Sequence, residues 1–364
     1  MMFETCAKTD IQAERRKGRG AISNESGRFE AFSRIEIADD WDIPEERAKF
    51  RTEVRLETAR SLISYNRSPD LPFDRSINPY RGCEHGCIYC FARPSHAYLG
   101  LSAGLDFETR LVAKPNAPEL LEQELRADRY KVAPIAIGTN TDPYQPIEKT
   151  HEITRACLKV LARFQHPVAI VTKGTLIERD IDILEPMAAK GLVRVGISLT
   201  SLDARLARKM EPRVPSPTRK LQTIARLTEA RIPVRVMASP IVPALNDPEL
   251  EHILGAGKNA GAQTASWIML RLPREVSPIF KDWLHEHYPD RSARVMARLR
   301  EMHGGQDYDA RWHHRMRGSG VYAELIAQRF RRACRALELD ERAPPLRCDL
   351  FGVPLRRGDQ MSLF

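Results

Sequence analysis

Asn78-Pro79-Tyr80-Arg81-Gly82-Cys83-Glu84-His85-Gly86-Cys87-Ile88-Tyr89-Cys90-Phe91 holds three of the chain's seven cysteines, spaced i, i+4 and i+7. Two further cysteines fall at fixed offsets from one of seven by chance only about a few times in a thousand. Thiolates so close together are soft ligands, suited to zinc, copper(I) or an iron–sulfur cluster. A closed structural zinc site takes four protein ligands, usually as two separated pairs. Here one triplet stands alone, and Cys6, Cys157, Cys334 and Cys348 lie singly and far off. Three thiolates can hold three corners of a [4Fe–4S] cube and leave the fourth iron open to chemistry. A zinc site completed by His85 or a distant cysteine is the structural alternative. Gly82 and Gly86 let the backbone turn tightly around so bulky a ligand.

The Cys-x3-Cys-x2-Cys spacing, with Tyr89 before the last cysteine, resembles the signature of radical S-adenosylmethionine (SAM) enzymes. Asn-Pro-Tyr-Arg-Gly-Cys and the later Asp142-Pro143-Tyr144-Gln145-Pro146 are similar to the subgroup related to spore photolyase, the DNA repair photolyase-like proteins. The resemblance implies an α/β fold, a partial (β/α)6 TIM-like barrel, with a [4Fe–4S] cluster on Cys83, Cys87 and Cys90. It further implies SAM on the open iron, an external electron donor, and a 5′-deoxyadenosyl radical that takes a hydrogen atom from substrate. In the same terms Tyr89 lies by the adenine, while Lys173 and Ser198 reach the carboxylate and ribose of SAM. Asn140 and Asp142 occupy the turn where relatives carry a Gly-Gly-Glu segment that meets the amino group; this chain departs from that pattern.

Outside that loop, 364 residues suffice for a sizeable core, and 42% hydrophobic content is that of a globular protein. No apolar run approaches the roughly 20 residues that span a bilayer, and early charges argue against a secretory signal. These features predict a cytoplasmic protein, in keeping with thiols that must stay reduced. A net charge of +9 and a pI near 9.3 suit a polyanionic partner such as nucleic acid, although arginine is abundant throughout.

Taken in order, residues 1–45 read as a flexible basic segment containing Arg15-Arg16-Lys17-Gly18-Arg19-Gly20. Glu45 to Thr58 reads as a short lead-in helix, the opening of a barrel domain over 46–272. Short apolar runs then alternate with helical patterns, the mark of parallel strands with crossover helices. Strands are expected at 76–79, 134–138, 168–172, 193–199, 234–238 and 267–270, the fifth stopped by Pro240. Helices are expected at 117–126, 148–163, around 221–227 and at 249–260. In such barrels chemistry collects at the C-terminal strand ends, where Asn140, Asp142, Lys173 and Ser198 all fall.

Residues 273–350 read as a helical extension over the barrel's open side, its arginines candidates for phosphate contacts. His303, His313 and His314 lie in a loop there. Residues 351–364 form a tail whose Gln360, Met361, Leu363 and Phe364 resemble the peptide by which bacterial repair proteins dock on the sliding clamp. The expected activity is reductive SAM cleavage directed at DNA or another nucleic acid, for repair or modification, with lyase and transferase classes both open. Alternatives are radical modification of a protein or small metabolite, or a nucleic-acid-binding protein with a structural or sensing cluster. Spore photolyase returns a hydrogen atom from a cysteine after its second strand. Here that place reads Thr139-Asn140-Thr141, which argues against thymine-dimer reversal by the same route.

Overall fold

The computed structural model describes residues 17–30, 51–339 and 344–355. Its centre is a sheet of six parallel strands in strict chain order: β1 Arg75–Ile77, β2 Ile135–Ile137, β3 Val168–Thr172, β4 Val193–Ser198, β5 Val234–Ile241 and β6 Thr264–Met269. Every neighbour is parallel, from Ile77 opposite Ile137 across to Thr264 opposite Arg235. The two-residue strand Ser64–Tyr65 adds an antiparallel edge outside β1. β-Branched residues fill these strands because their stiff side chains suit a pleated surface covered on both faces. Residues such as Ile135, Ile137, Val168, Ile170, Val193 and Val195 are buried.

Five helices run on the sheet's outer side: α1 Ala117–Leu125, α2 Ile153–Arg163, α3 Ile181–Ala189, α4 Pro217–Glu229 and α5 Leu250–Asn259. In α2 the apolar stripe Ile153, Cys157, Leu158, Val160 and Leu161 is buried, each large aliphatic side chain contributing about 1.5–3 kcal/mol. Cys157 is thus a core residue. The start of α4 follows from Ser216, whose hydroxyl accepts from the Arg219 N–H, and from Pro217 in the first turn. Beyond β6 come α6 Val276–His287, α7 Pro289–Met302 and α8 Val321–Ala336. Trp283 of α6 is fully buried and donates its indole N–H to the Lys209 carbonyl at 3.1 Å.

The structure departs from the sequence expectations in four places. Residues 53–56 form a strand, not a helix, pairing with Arg110–Ala113 in a small separate sheet that also takes in Tyr80–Arg81. The helix expected over 148–163 breaks at Glu152, whose φ of +51° interrupts it between a first turn, Glu148–His151, and α2. β5 runs on through Pro240 to Ile241 instead of stopping, with a cis Ser239–Pro240 peptide. Finally, the flexible segment expected over 1–45 does not describe residues 17–30, which are seated against the cysteine loop. Arg19 and Ala21 to Ser23 are buried, and a Cβ on Gly20 would lie 2.0 Å from the Gly86 carbonyl. The clamp-like residues Gln360, Met361, Leu363 and Phe364 lie outside the described residues.

Candidate functional site

The C-terminal ends of β2 to β6 and the cysteine loop line a pocket that is open at one side. All eight residues singled out for cofactor contacts stand on its wall: Cys83, Cys87, Cys90, Tyr89, Asn140, Asp142, Lys173 and Ser198. What brings them there is the interlocking of the two sequence motifs. The Asn78 side-chain carbonyl accepts from the Asn140 and Thr141 N–H groups at 3.2 and 3.4 Å. Tyr80 donates its hydroxyl to Glu148, while its carbonyl accepts from Thr141 Oγ1. Gln145 closes the lock from the other side, accepting from the Glu84 N–H at 2.8 Å and donating to the Gly82 carbonyl at 3.3 Å. Asn-Pro-Tyr-Arg-Gly-Cys and Asp-Pro-Tyr-Gln-Pro are therefore two halves of one clasp.

Beneath the cysteines lies a floor of buried charge. Arg93 is fully buried; its guanidinium donates to the carbonyls of Cys87, Ala103 and Gly104 at 3.0–3.1 Å and to Glu108 at 2.5 Å. Glu108, also buried, takes the Gly20 and Ala21 N–H groups at 2.8 Å each. Arg19 donates to the Glu108 carbonyl at 2.9 Å. A buried ion pair is tolerable only when its remaining donors and acceptors are filled, and the N-terminal residues 19–21 complete that set.

The polar wall opposite is equally tied together. Lys173 Nζ donates to Ser198 Oγ at 2.6 Å and stands 5.7 Å from the centre of the Tyr89 ring. Tyr89 donates its hydroxyl to Glu211, which also takes the Thr200 hydroxyl at 2.6 Å and Lys220 Nζ at 2.9 Å. Burial would raise the Glu211 carboxyl, but Lys220 and Lys173 outweigh it and hold it down at about 2. Asp142 takes a different part from the one the resemblance implies. Its oxygens accept from the Tyr144 and Lys173 N–H groups and from Thr172 Oγ1, at 2.9, 2.8 and 2.6 Å. The carboxylate thereby braces the end of β3. Burial would lower His85, but Asp142, 3.4 Å away, raises it to about 10.

Glu211, Lys220, Arg93, Glu108 and Gln145 escaped the sequence reading as site residues, and His85 entered it only as a ligand of the zinc alternative. For the charged ones the signal is weak, because a lone Glu or Arg in a basic, charge-rich chain reads as surface; only burial reveals it. Ser239 was missed too, hidden by the expectation that β5 ends before it. Its hydroxyl is buried on the pocket wall with no hydrogen-bond partner among the described residues.

A family model described as the radical SAM superfamily matches residues 77–256. An uncharacterised protein of Mycobacterium tuberculosis is 37% identical over 235 residues, covering 64% of this chain and 68% of its own length. The chain belongs to the radical SAM superfamily. An uncharacterised protein of Methanocaldococcus jannaschii is 28% identical over 215 residues, 59% of this chain and 76% of its own length. Among solved structures, spore photoproduct lyase shares the fold at a TM-score of 0.56 and 15% identity, over 78% of this chain and 79% of that one. This radical SAM protein is accordingly an enzyme, and its cofactors are a [4Fe–4S] cluster and SAM.

The donor set fits them. Among the described residues, no three Cys, His, Asp or Glu side chains converge as ligands of a single metal ion. Cys83, Cys87 and Cys90 share one pocket wall, the thiolate donors that an iron–sulfur cluster takes. Burial pushes the Cys87 and Cys90 thiols up, Cys90 to about 11, a cost that a coordinated cation reverses. Ser239 Oγ and Lys173 supply unfilled polarity and positive charge to a molecule bearing a carboxylate. No helix among the described residues is long and apolar enough to cross a membrane.

Proposed function

We propose that this enzyme applies radical SAM chemistry to a nucleic acid, in repair or modification of a base. The observation that carries the reading is the open pocket whose lining brings Cys83, Cys87 and Cys90 together with Lys173, Ser198 and Ser239. Cys83, Cys87 and Cys90 would hold three irons of the cluster. Lys173 and Ser198 would orient the carboxylate end of SAM, with Ser239 Oγ as a further donor, and Tyr89, held rigid by Glu211 and Thr200, would flank its adenine. Asn140 would offer its side chain to the amino group. With both cofactors bound, the site supplies one-electron cleavage of a carbon–sulfur bond and a primary carbon radical able to remove a hydrogen atom.

The chain's own part is exclusion and orientation. Val171, Met237, Ile268 and Met269 line the pocket with apolar surface and keep water from the reacting carbon. The nucleic-acid reading is supported by the net charge of +9. It is supported also by the shared fold with spore photoproduct lyase, solved in complex with a dinucleoside spore photoproduct at a TM-score of 0.56. Among the residues lining the pocket the thiols are Cys83, Cys87 and Cys90. The cluster would occupy those three, so among the described residues no further pocket thiol stands where spore photolyase uses a hydrogen-donating cysteine.

The test is 5′-deoxyadenosine formation by anaerobically reconstituted protein under dithionite, with and without oligonucleotides. Stimulation by oligonucleotide, together with salt-dependent binding, is the expected result. Turnover that is indifferent to nucleic acid, with no such binding, overturns the reading in favour of a protein or metabolite substrate.

A further inference from the structure

The first and last strands of the sheet, β1 and β6, are not joined to each other by hydrogen bonds. The gap is bridged by a loop, residues 311–317. The Met269 N–H at the end of β6 donates to the Met316 carbonyl at 2.9 Å. On the far side the His313 N–H and Arg315 Nε donate to Asp70 at 2.7 and 2.6 Å, and Arg315 Nη2 donates to Ser68. Ser68 and Asp70 lie in the turn between the edge strand and β1. The loop therefore crosses the open side of the barrel, pinned at both ends.

Its outer surface is unlike a solvated turn. Trp312 is 55% exposed. Arg311 is occupied by Asp309 at 2.7 Å, but among the described residues neither Arg271 nor Arg317 has a carboxylate partner. Arg271 lines the pocket itself, stacked 4.7 Å over the ring of Phe91, the residue next to Cys90. Its remaining hydrogen bonds among the described residues are weak ones, to Met316 Sδ at 3.6 Å and Tyr308 at 3.3 Å, and its Nε is buried without an acceptor among them. An arginine held flat on an aromatic ring, with no acid to neutralise it, is preorganised for an anion. Trp312 belongs to the same loop as Met316, which Arg271 touches, and its exposed indole offers a stacking face.

We infer that Arg271 on Phe91, together with Trp312 of the crossing loop, forms the substrate-recognition site of this enzyme and takes an unpaired nucleotide. Arg271 binds a phosphate at the pocket rim, and Trp312 stacks a base of the same strand. The inference rests on the nucleic-acid reading above and gives it a form: the strand enters single, because neither a stacking face nor the pocket serves a base that is still paired.

The test uses the full reconstituted chain and a fluorescein-labelled oligothymidylate of about twelve nucleotides, read by anisotropy across a salt series. The duplex of the same length and poly-glutamate serve as competitors. Trp312→Ala should weaken single-strand binding at least about fivefold, with Trp312→Phe restoring most of it. Arg271→Gln should reduce the steepness of the salt dependence by about one unit of slope. Iron content and the cluster's visible absorption should be unchanged in Trp312→Ala, separating recognition from folding. If wild type binds the single strand and both variants bind as tightly with the same slope, this inference is overturned while the nucleic-acid reading stands. If the duplex or poly-glutamate competes as well as the single strand, the stacking site is wrong. If wild type binds no oligonucleotide, the broader reading fails and takes this one with it.

Discussion

The floor of the pocket and its rim are built on opposite terms. Under the cysteines the buried Arg93–Glu108 pair is saturated, Arg93 by five backbone and side-chain partners and Glu108 by Gly20 and Ala21 as well, while Gln145 holds the loop backbone. At the rim, Arg271 keeps a buried Nε without an acceptor, and Phe91 and Trp312 are 44% and 55% exposed. Saturation rigidifies; unmet polarity and bare rings await a partner. The floor thus serves the cofactors and must not move, while the rim holds the groups left to choose a substrate.

The severest way to break this contrast is Glu108→Ala. It strands the Arg93 guanidinium without a counter-charge and leaves the Gly20 and Ala21 N–H groups bare, so we expect a loss of about 3–5 kcal/mol in denaturant unfolding and little iron after reconstitution. A variant as stable and iron-replete as wild type would show that the floor is not what holds the cluster loop. Next comes Gln145→Ala, which removes the clasp on Gly82 and Glu84; a cost of about 1–3 kcal/mol is expected, with reduced iron per chain by colorimetric assay.

A milder probe sharpens the comparison from the rim. Burial would raise the Asp70 carboxyl, but the His313 N–H and Arg315 hold it below its ordinary value. A depressed carboxyl stabilises above its unfolded value of about 3.9, and that contribution disappears as pH falls through the lower folded value. Protection of the amides in residues 311–317, relative to the intrinsic exchange rate at each pH, should therefore fall below about pH 4, and Asp70→Asn should show that lower protection already at neutral pH. The smallest effect belongs to Trp312→Ala, which should change stability by no more than about 0.5 kcal/mol and leave iron content alone. A large loss of stability there would erase the distinction between the two regions.

How much of this was legible in the sequence follows from the range of the physics involved. The cysteine triplet is a local pattern, and β3 at Val168–Thr172 emerged with its observed limits because a short β-branched run between turn residues has few other readings. Positions in tertiary contact were not legible in the same way. Residues 17–30 are polar and glycine-broken, so composition predicts solvation; only the match of Gly20 to the Gly86 carbonyl and of two N–H groups to Glu108 reveals a seat. Asp142 was found as a site residue, yet its carboxylate is spent on Thr172 and Lys173, a destination that depends on where β3 ends in space. Ser239 was lost to a local rule, proline as a strand terminator, which β5 does not follow, running on to Ile241.

The loop that bridges the gap between β1 and β6 also bears on how the chain assembles. Each crossover helix joins strands adjacent in sequence, whereas the Arg315–Asp70 contact spans 245 residues. Closing so long a loop is entropically costly until the intervening units are already ordered. Contact order therefore predicts that the barrel forms from its local repeats first and acquires this side last, with the nascent pocket accessible from that flank in the meantime. Pulse-labelling during refolding should find the amides of 311–317 protected after those of β3 and β4.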